Sequence, residues 1–141
     1  MAISTYKTFL MHKGSSENSY TKLCDITSFP DMGDDPETLD TTTLSDKMQT
    51  WILGIQSTSG LTFAANYDKA VFTALKALEG ETEHYAVWLG GTESGGVVTP
   101  DGTSGKFTFD GQLSVRVTGG GVNEVVGMSI MIAPSTVIDF A

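Results

Sequence analysis

Leu61-Thr62-Phe63-Ala64-Ala65-Asn66-Tyr67-Asp68-Lys69-Ala70-Val71-Phe72-Thr73-Ala74-Leu75-Lys76-Ala77-Leu78-Glu79-Gly80 contains two hydrophobic periods, one after the other. Up to Tyr67 the period is two. Leu61, Phe63, Ala65 and Tyr67 share one face of a strand, and Thr62, Ala64, Asn66 and Asp68 share the other. The first face is bulky and belongs against a core; the second is small and polar. Beyond Asp68 the period becomes helical, with Ala70, Val71, Ala74, Leu75 and Leu78 on one stripe. A helix is expected from Asp68 to Glu79. Asp68 or Asn66 caps its first amides, and Gly80 takes the left-handed position after its end. A helix this short is marginal alone in water, so its stripe must pack on a sheet.

The flanking sequence is strand-like and offers no second convincing helix. Glu83 to Leu89 carries apolar bulk on both sides, which suits a central strand. Lys106 to Thr118 alternates cleanly. Phe107, Phe109, Gly111, Leu113, Val115 and Val117 face inward, and Thr108, Asp110, Gln112, Ser114, Arg116 and Thr118 face outward. Gly111 marks a bulge or sharp coil in so long a strand. Glu124 to Ala133 is the last core strand, ended by Pro134. Toward the amino end, Tyr6 to Lys13 and Tyr20 to Thr27 form a candidate hairpin across Gly14 to Asn18, and Lys47 to Gly54 reads as a third strand. Gly90 to Gly105 is read as a glycine-rich connection with a turn at Pro100-Asp101-Gly102. About seven strands, one helix and no βαβ rhythm predict a mainly β fold. A β-sandwich or open barrel of antiparallel strands with one flanking α-helix is expected.

The chain has 141 residues, which fits one domain, 1-141. A chain of this length buries ~68–70% of its unfolded surface and needs no staples. Cys24 is the single cysteine, so no intrachain disulfide is possible; it reads as a small, half-buried apolar residue on a strand. The first residues lack an apolar run of signal-peptide length. No stretch reaches ~18 uninterrupted apolar residues. The expectation is a soluble chain made in the cytoplasm. The formal net charge is −9, from 17 Asp plus Glu against 8 Lys plus Arg. That balance argues against gripping nucleic acid, which requires clustered cations on the phosphates. It is compatible with solubility, and with a surface past which nucleic acid slides.

Constellations that could carry chemistry are weak. Glu81-Thr82-Glu83-His84 sets acids beside a histidine, yet a strand sends Glu83 and His84 to opposite faces. Asp31, Asp34, Asp35, Glu37 and Asp40 lack the spacing of a twelve-residue calcium loop. Gly90 to Gly96 lacks the Lys-Ser/Thr ending and the following helix of a phosphate loop. Trp51 and Trp88 read as core or interface aromatics before they read as a sugar platform. No enzyme, metal or cofactor is expected.

The polar stretch Ser28 to Asp46 remains unexplained by the core. Loops beyond ~12–15 residues without secondary structure are uncommon in compact domains, and Pro30 and Pro36 oppose regular pairing. Contact with other copies of the chain is its expected purpose.

Two blocks here resemble the major tail tube proteins of long-tailed (siphovirus-like) bacteriophages. They are Asp25-Ile26-Thr27-Ser28-Phe29-Pro30-Asp31 and Pro36-Glu37-Thr38-Leu39-Asp40-Thr41-Thr42-Thr43-Leu44-Ser45-Asp46. Trp51 to Ile55, Leu61 to Tyr67, Phe107 to Val115 and Gly121 to Val125 look like the same family. Gln56-Ser57-Thr58-Ser59 departs from it, where relatives often carry an acid in the turn. The resemblance implies a β-sandwich with a flanking helix, assembled as stacked hexameric rings. These rings form a hollow, non-contractile tail tube that serves as the conduit for genome ejection. It implies a virion component assembled in the host bacterial cytoplasm. Its partners would be copies of itself, a tape-measure protein, a tail terminator and baseplate or distal tail proteins, with double-stranded DNA only in transit and no membrane binding. A type VI secretion-like tube protein and a β-sandwich carbohydrate- or receptor-binding module are the alternatives.

On this view residues 1-5 form an N-terminal arm, 28-46 a long inter-subunit loop and 134-141 a C-terminal arm. Candidate inter-subunit contacts are Asp31, Asp34, Asp35, Glu37, Leu39, Asp40, Leu44, Val137, Ile138 and Phe140. Thr62, Ala64 and Asn66, or Asp110, Gln112 and Ser114, are candidates to face a lumen that is net negative or neutral.

Overall fold

The computed structural model describes residues 2–4, 6–33, 35–55 and 60–140. Asp34 and the Gln56–Ser59 turn lie outside the described residues. The strands are β1 (Thr8–Lys13), β2 (Thr21–Cys24), β3 (Thr38–Asp40), β4 (Trp51–Leu53) and β5 (Leu61–Asn66). Helix α1 (Lys69–Leu78) follows, then β6 (Thr82–Ser94), β7 (Val97–Thr118), β8 (Gly127–Pro134) and β9 (Asp139–Phe140). A curled antiparallel sheet runs β2-β1-β6-β7-β8-β5, with β9 added to β7, and β3 and β4 form a separate pair. The fold is mainly β with one helix, as the alternation required.

The inward faces of the long strands meet as anticipated. Leu61, Phe63 and Ala65 of β5 are buried with Met128, Ile130 and Ile132 of β8 and with Phe109, Leu113 and Val115 of β7. Leu10, Tyr85 and Val87 extend this layer across β1 and β6. Helix α1 closes over it through buried Leu75 and half-buried Val71 and Phe72. Asp68, rather than Asn66, is the N-cap, and its carboxylate accepts from the amides of Ala70 (2.9 Å) and Val71 (3.3 Å). Gly80 has φ +84° and takes the left-handed position.

Three expectations are corrected. First, Gly90 to Gly105 is no loose connection. β6 and β7 continue as one hairpin, pairing Gly91 with Pro100 and Ser94 with Val97. Glycines with positive φ make this possible. Gly90 has φ +109° where the register shifts, and Gly105 has φ +137°. Both are conformations that side-chain-bearing residues avoid. Second, the strand near Lys47 to Gly54 is not part of the core. Only Trp51–Leu53 is extended, and it pairs with β3, inside the supposedly structureless stretch 28–46. Third, the tail beyond Pro134 is not simply a free arm, because β9 pairs Phe140 with Phe107 and Asp139 with Thr108.

Gly111 is the point where β7 changes partners. β6 faces it through Glu83, and β8 faces it through Pro134. A Cβ at Gly111 would collide with the Ala133 carbonyl oxygen. The glycine is therefore required by close approach of two backbones.

A candidate assembly surface

The β3–β4 pair is an arm. Its strands are three residues each and pair only with one another: Thr38 with Leu53, Leu39 with Ile52, Asp40 with Trp51. The Gly54 amide donates to the Glu37 carbonyl at the arm's base, so its two ends lie side by side. At its far end Thr41 and Thr50 hydroxyls meet at 2.9 Å, and Thr42 Oγ1 accepts from the Thr50 amide at 2.8 Å. Every residue of both strands is exposed. Trp51 is 52% and Leu53 69% accessible, and Leu44, Met48 and Ile55 stand out into solvent. A clustered run of large apolar side chains on a strand pair without a core marks a contact surface.

The candidate contact residues divide by location. Leu39, Asp40 and Glu37 lie on the arm, Asp35 just before it and Leu44 at its outer loop, all exposed. The Asp40 carboxylate accepts from the Thr42 amide, and the Thr42 bonds hold its acid below the usual carboxylate range. Asp46 accepts from the Thr43 amide and hydroxyl. These two acids are therefore engaged in local turns. Asp31 borders an open groove with Tyr6, Ile26, Phe29, Pro30 and Met32. Val137 and Phe140 are exposed, although Phe140 packs its ring on Phe107 at 5.2 Å. Ile138 packs against the chain's own core and is half-buried within the monomer.

The two alternative lumen sets turn out to share one face of one sheet. Thr62 lies beside Met131, and Met131 beside Ser114. Ala64 lies beside Ser129, and Ser129 beside Arg116. Thr62, Asn66, Gln112 and Ser114 are exposed. Ala64 is half covered where the Thr27 and Ser28 amides donate to its carbonyl. Asp110 is half-buried: its carboxylate meets His84 Nδ1 at 2.5 Å, and its amide donates to Thr136 Oγ1. Glu83 and His84 do point to opposite sides. Glu83 is buried and accepts from the Ser15 amide, with His12 Nε2 4.0 Å from it.

The far end of the same face holds an arrangement that one-dimensional reading missed. Lys13 Nζ sits 5.0 Å from the Tyr20 ring centroid, and Lys106 Nζ sits 4.3 Å from that of Trp88. The two rings are tilted against each other at 5.8 Å. Burial and nearby Asp110 push the Tyr20 hydroxyl pKa up. Neither lysine has a carboxylate partner among the described residues. Cross-strand register brings these four residues together, and no local motif announces it. Cys24 is buried, and burial with neighbouring Asp25 pushes its thiol up to about 11. Among the described residues no three His, Cys, Asp or Glu side chains converge as metal ligands, and no helix is long and apolar enough to cross a membrane.

The fold has close counterparts in injection particles. The whole chain superposes on 97% of a chain from the sheath/tube terminator of an extracellular contractile injection system, PVC, in its extended state, with TM-score 0.67 and 10% identity. It covers, again over its whole length, 95% of a chain from the anti-feeding prophage baseplate at TM-score 0.68 and 8% identity. A chain from the cap that terminates the tube of the same prophage is matched over 91% of its length at TM-score 0.66 and 13% identity. At such identities the likeness is one of fold. No family model and no curated protein matches the sequence.

Proposed function

We propose that this chain is a structural subunit of a phage-tail-like tube, self-assembling into stacked hexameric rings that form a conduit for genome ejection. The observation that carries this reading is the β3–β4 arm. It is a strand pair with a run of exposed apolar residues and no partner among the other strands. An isolated two-stranded hairpin is marginally stable in water at best. Cover from a neighbouring copy supplies what the monomer lacks. The end-to-end fold likeness to chains of tube-bearing particles supports the same reading. The PVC particle is a contractile injection system, whereas the Pro36–Leu44 resemblance is to non-contractile tails. The tube is common to both, and a non-contractile tail is the finer reading we retain. The tape-measure, terminator and baseplate partners follow from it, as does a location in the particle.

The bore is assigned to the exposed half-face of β5, β8 and the carboxy-terminal half of β7. Thr62, Asn66, Gln112 and Ser114 lie there, and Arg116 is the one charged side chain beyond Asp110. A near-neutral lining lets DNA pass without gripping it. β2 carries the open edge through which a neighbouring sheet would join, whereas the outer edge of β5 is partly taken at Ala64 by Thr27 and Ser28.

The test is direct. The purified chain should form long hollow tubes under negative stain. Replacing residues 38–53 with a short glycine-serine turn should leave a folded monomer that makes none. Normal tube growth by that variant would refute the role of the arm.

A further inference from the structure

The ladder formed by Lys13 on β1, Tyr20 just before β2, Trp88 on β6 and Lys106 on β7 invites an occupant of opposite charge. In a chain of net charge −9, Lys13 and Lys106 are held over aromatic rings with no carboxylate partner among the described residues. Residues 31–55 hold the complement: six acids and one lysine. On the arm, Asp40 and Trp51 are cross-strand partners and so share a face. That face offers an ionised carboxylate beside a flat aromatic, matching an ammonium beside a flat aromatic.

We propose that the Asp40–Trp51 face of one copy's arm seats on the Lys13–Tyr20–Trp88–Lys106 ladder of the next copy. This rests on the tube reading above and names the surface that receives the arm. The two patches are different, so the contact is head-to-tail and propagates. It does not compete with the bore. The two patches share β7, but Lys106 lies on its β6-paired stretch before Gly111, whereas Ser114 and Arg116 lie on its β8-paired stretch beyond it. A lysine paired both with a ring and with an incoming carboxylate gains on desolvation.

Charge exchange tests the pairing. Asp40→Lys, on the exposed arm, should raise the protein concentration needed for tube growth roughly tenfold or more, since like charges brought face to face are costly. Lys106→Glu should do the same. Combining the two should recover most of the growth, and circular dichroism of the unassembled variants should match the parent. If either single variant grows tubes normally, or if the double variant is no better than the singles, the seat is wrong while the tube reading stands. If the parent itself forms no tubes, the tube reading fails first. The competing occupant is nucleic acid. A duplex DNA retained by the unassembled parent at physiological salt, and lost in Lys13→Glu with Lys106→Glu, would overturn the proposal.

Discussion

Gly111 shows how a single missing methyl group shapes the sheet. β7 leaves β6 and joins β8 at this residue, with the Ala133 carbonyl packed where a Cβ would stand. Gly111→Ala should cost about 3 kcal/mol, because two paired backbones must separate to admit the side chain. For a chain of this size that lowers the thermal midpoint by roughly 10 °C, which a melting curve measures. Cys24 gives a second residue-scale expectation. Its thiol is raised to about 11 in the folded chain, against an ordinary 9.0. The folded state therefore holds that proton more tightly than the unfolded one. Stability is unaffected below about pH 8 and falls as pH rises from 9 toward 11, by about 2–3 kcal/mol in all. Cys24→Ala should be less stable at pH 7 but show a flatter decline across that window.

Among the elements, the C-terminal strap is the one whose role shifts most. Ser135 donates its amide and hydroxyl to the Asp110 carbonyl, Thr136 accepts from the Asp110 amide, Ile138 enters the core and Phe140 packs on Phe107. Truncation after Ala133 should therefore destabilise the monomer itself by about 2–4 kcal/mol, from one half-buried aliphatic side chain, one aromatic contact and several hydrogen bonds. Urea titration of the unassembled chain reads this; an unchanged midpoint would return the strap to a purely inter-subunit role. The strap was half legible in the sequence. Its apolar residues at 137, 138 and 140 signalled burial, but a two-residue strand leaves no period to follow. The arm was hidden for the same reason. β3 and β4 are too short to alternate, and their partners lie eleven or more positions apart. The hairpin beyond Gly90 was hidden by its glycines, which read as loop unless the bulge geometry is known. By contrast β5, α1 and the inner half of β7 were legible, because burial on one face imposed periods that chance does not produce.

At the scale of the whole molecule, unlike charges stand on the two patches. Six of the 17 acids fall within residues 31–55, against one lysine. Lys13, Lys106 and Arg116 occupy one sheet face with Asp110 as its strand-borne carboxylate, and that carboxylate is met by His84. Assembly between such unlike patches should weaken as salt rises, because exposed ion pairs are screened within about 8–10 Å at physiological ionic strength. Light scattering at 0.05 M and 0.5 M salt measures this. Growth that improves with salt would mean that apolar contact outweighs the charge pairing. The candidate site was legible only as a location. Composition and the tail-tube resemblance pointed to the stretch after Pro30, while its receiving surface depends on register across β1, β6 and β7.

The bare arm also has a kinetic consequence. A hairpin of three-residue strands without a core holds its shape poorly until something covers it, so the first contacts between two free subunits must meet the ordering cost of both. A subunit arriving at an existing ring meets a surface already in place. Spontaneous initiation should therefore be slow and extension fast. Scattering traces should show a lag that shortens with sheared fragments of finished tube, so that length is set by how rarely growth begins.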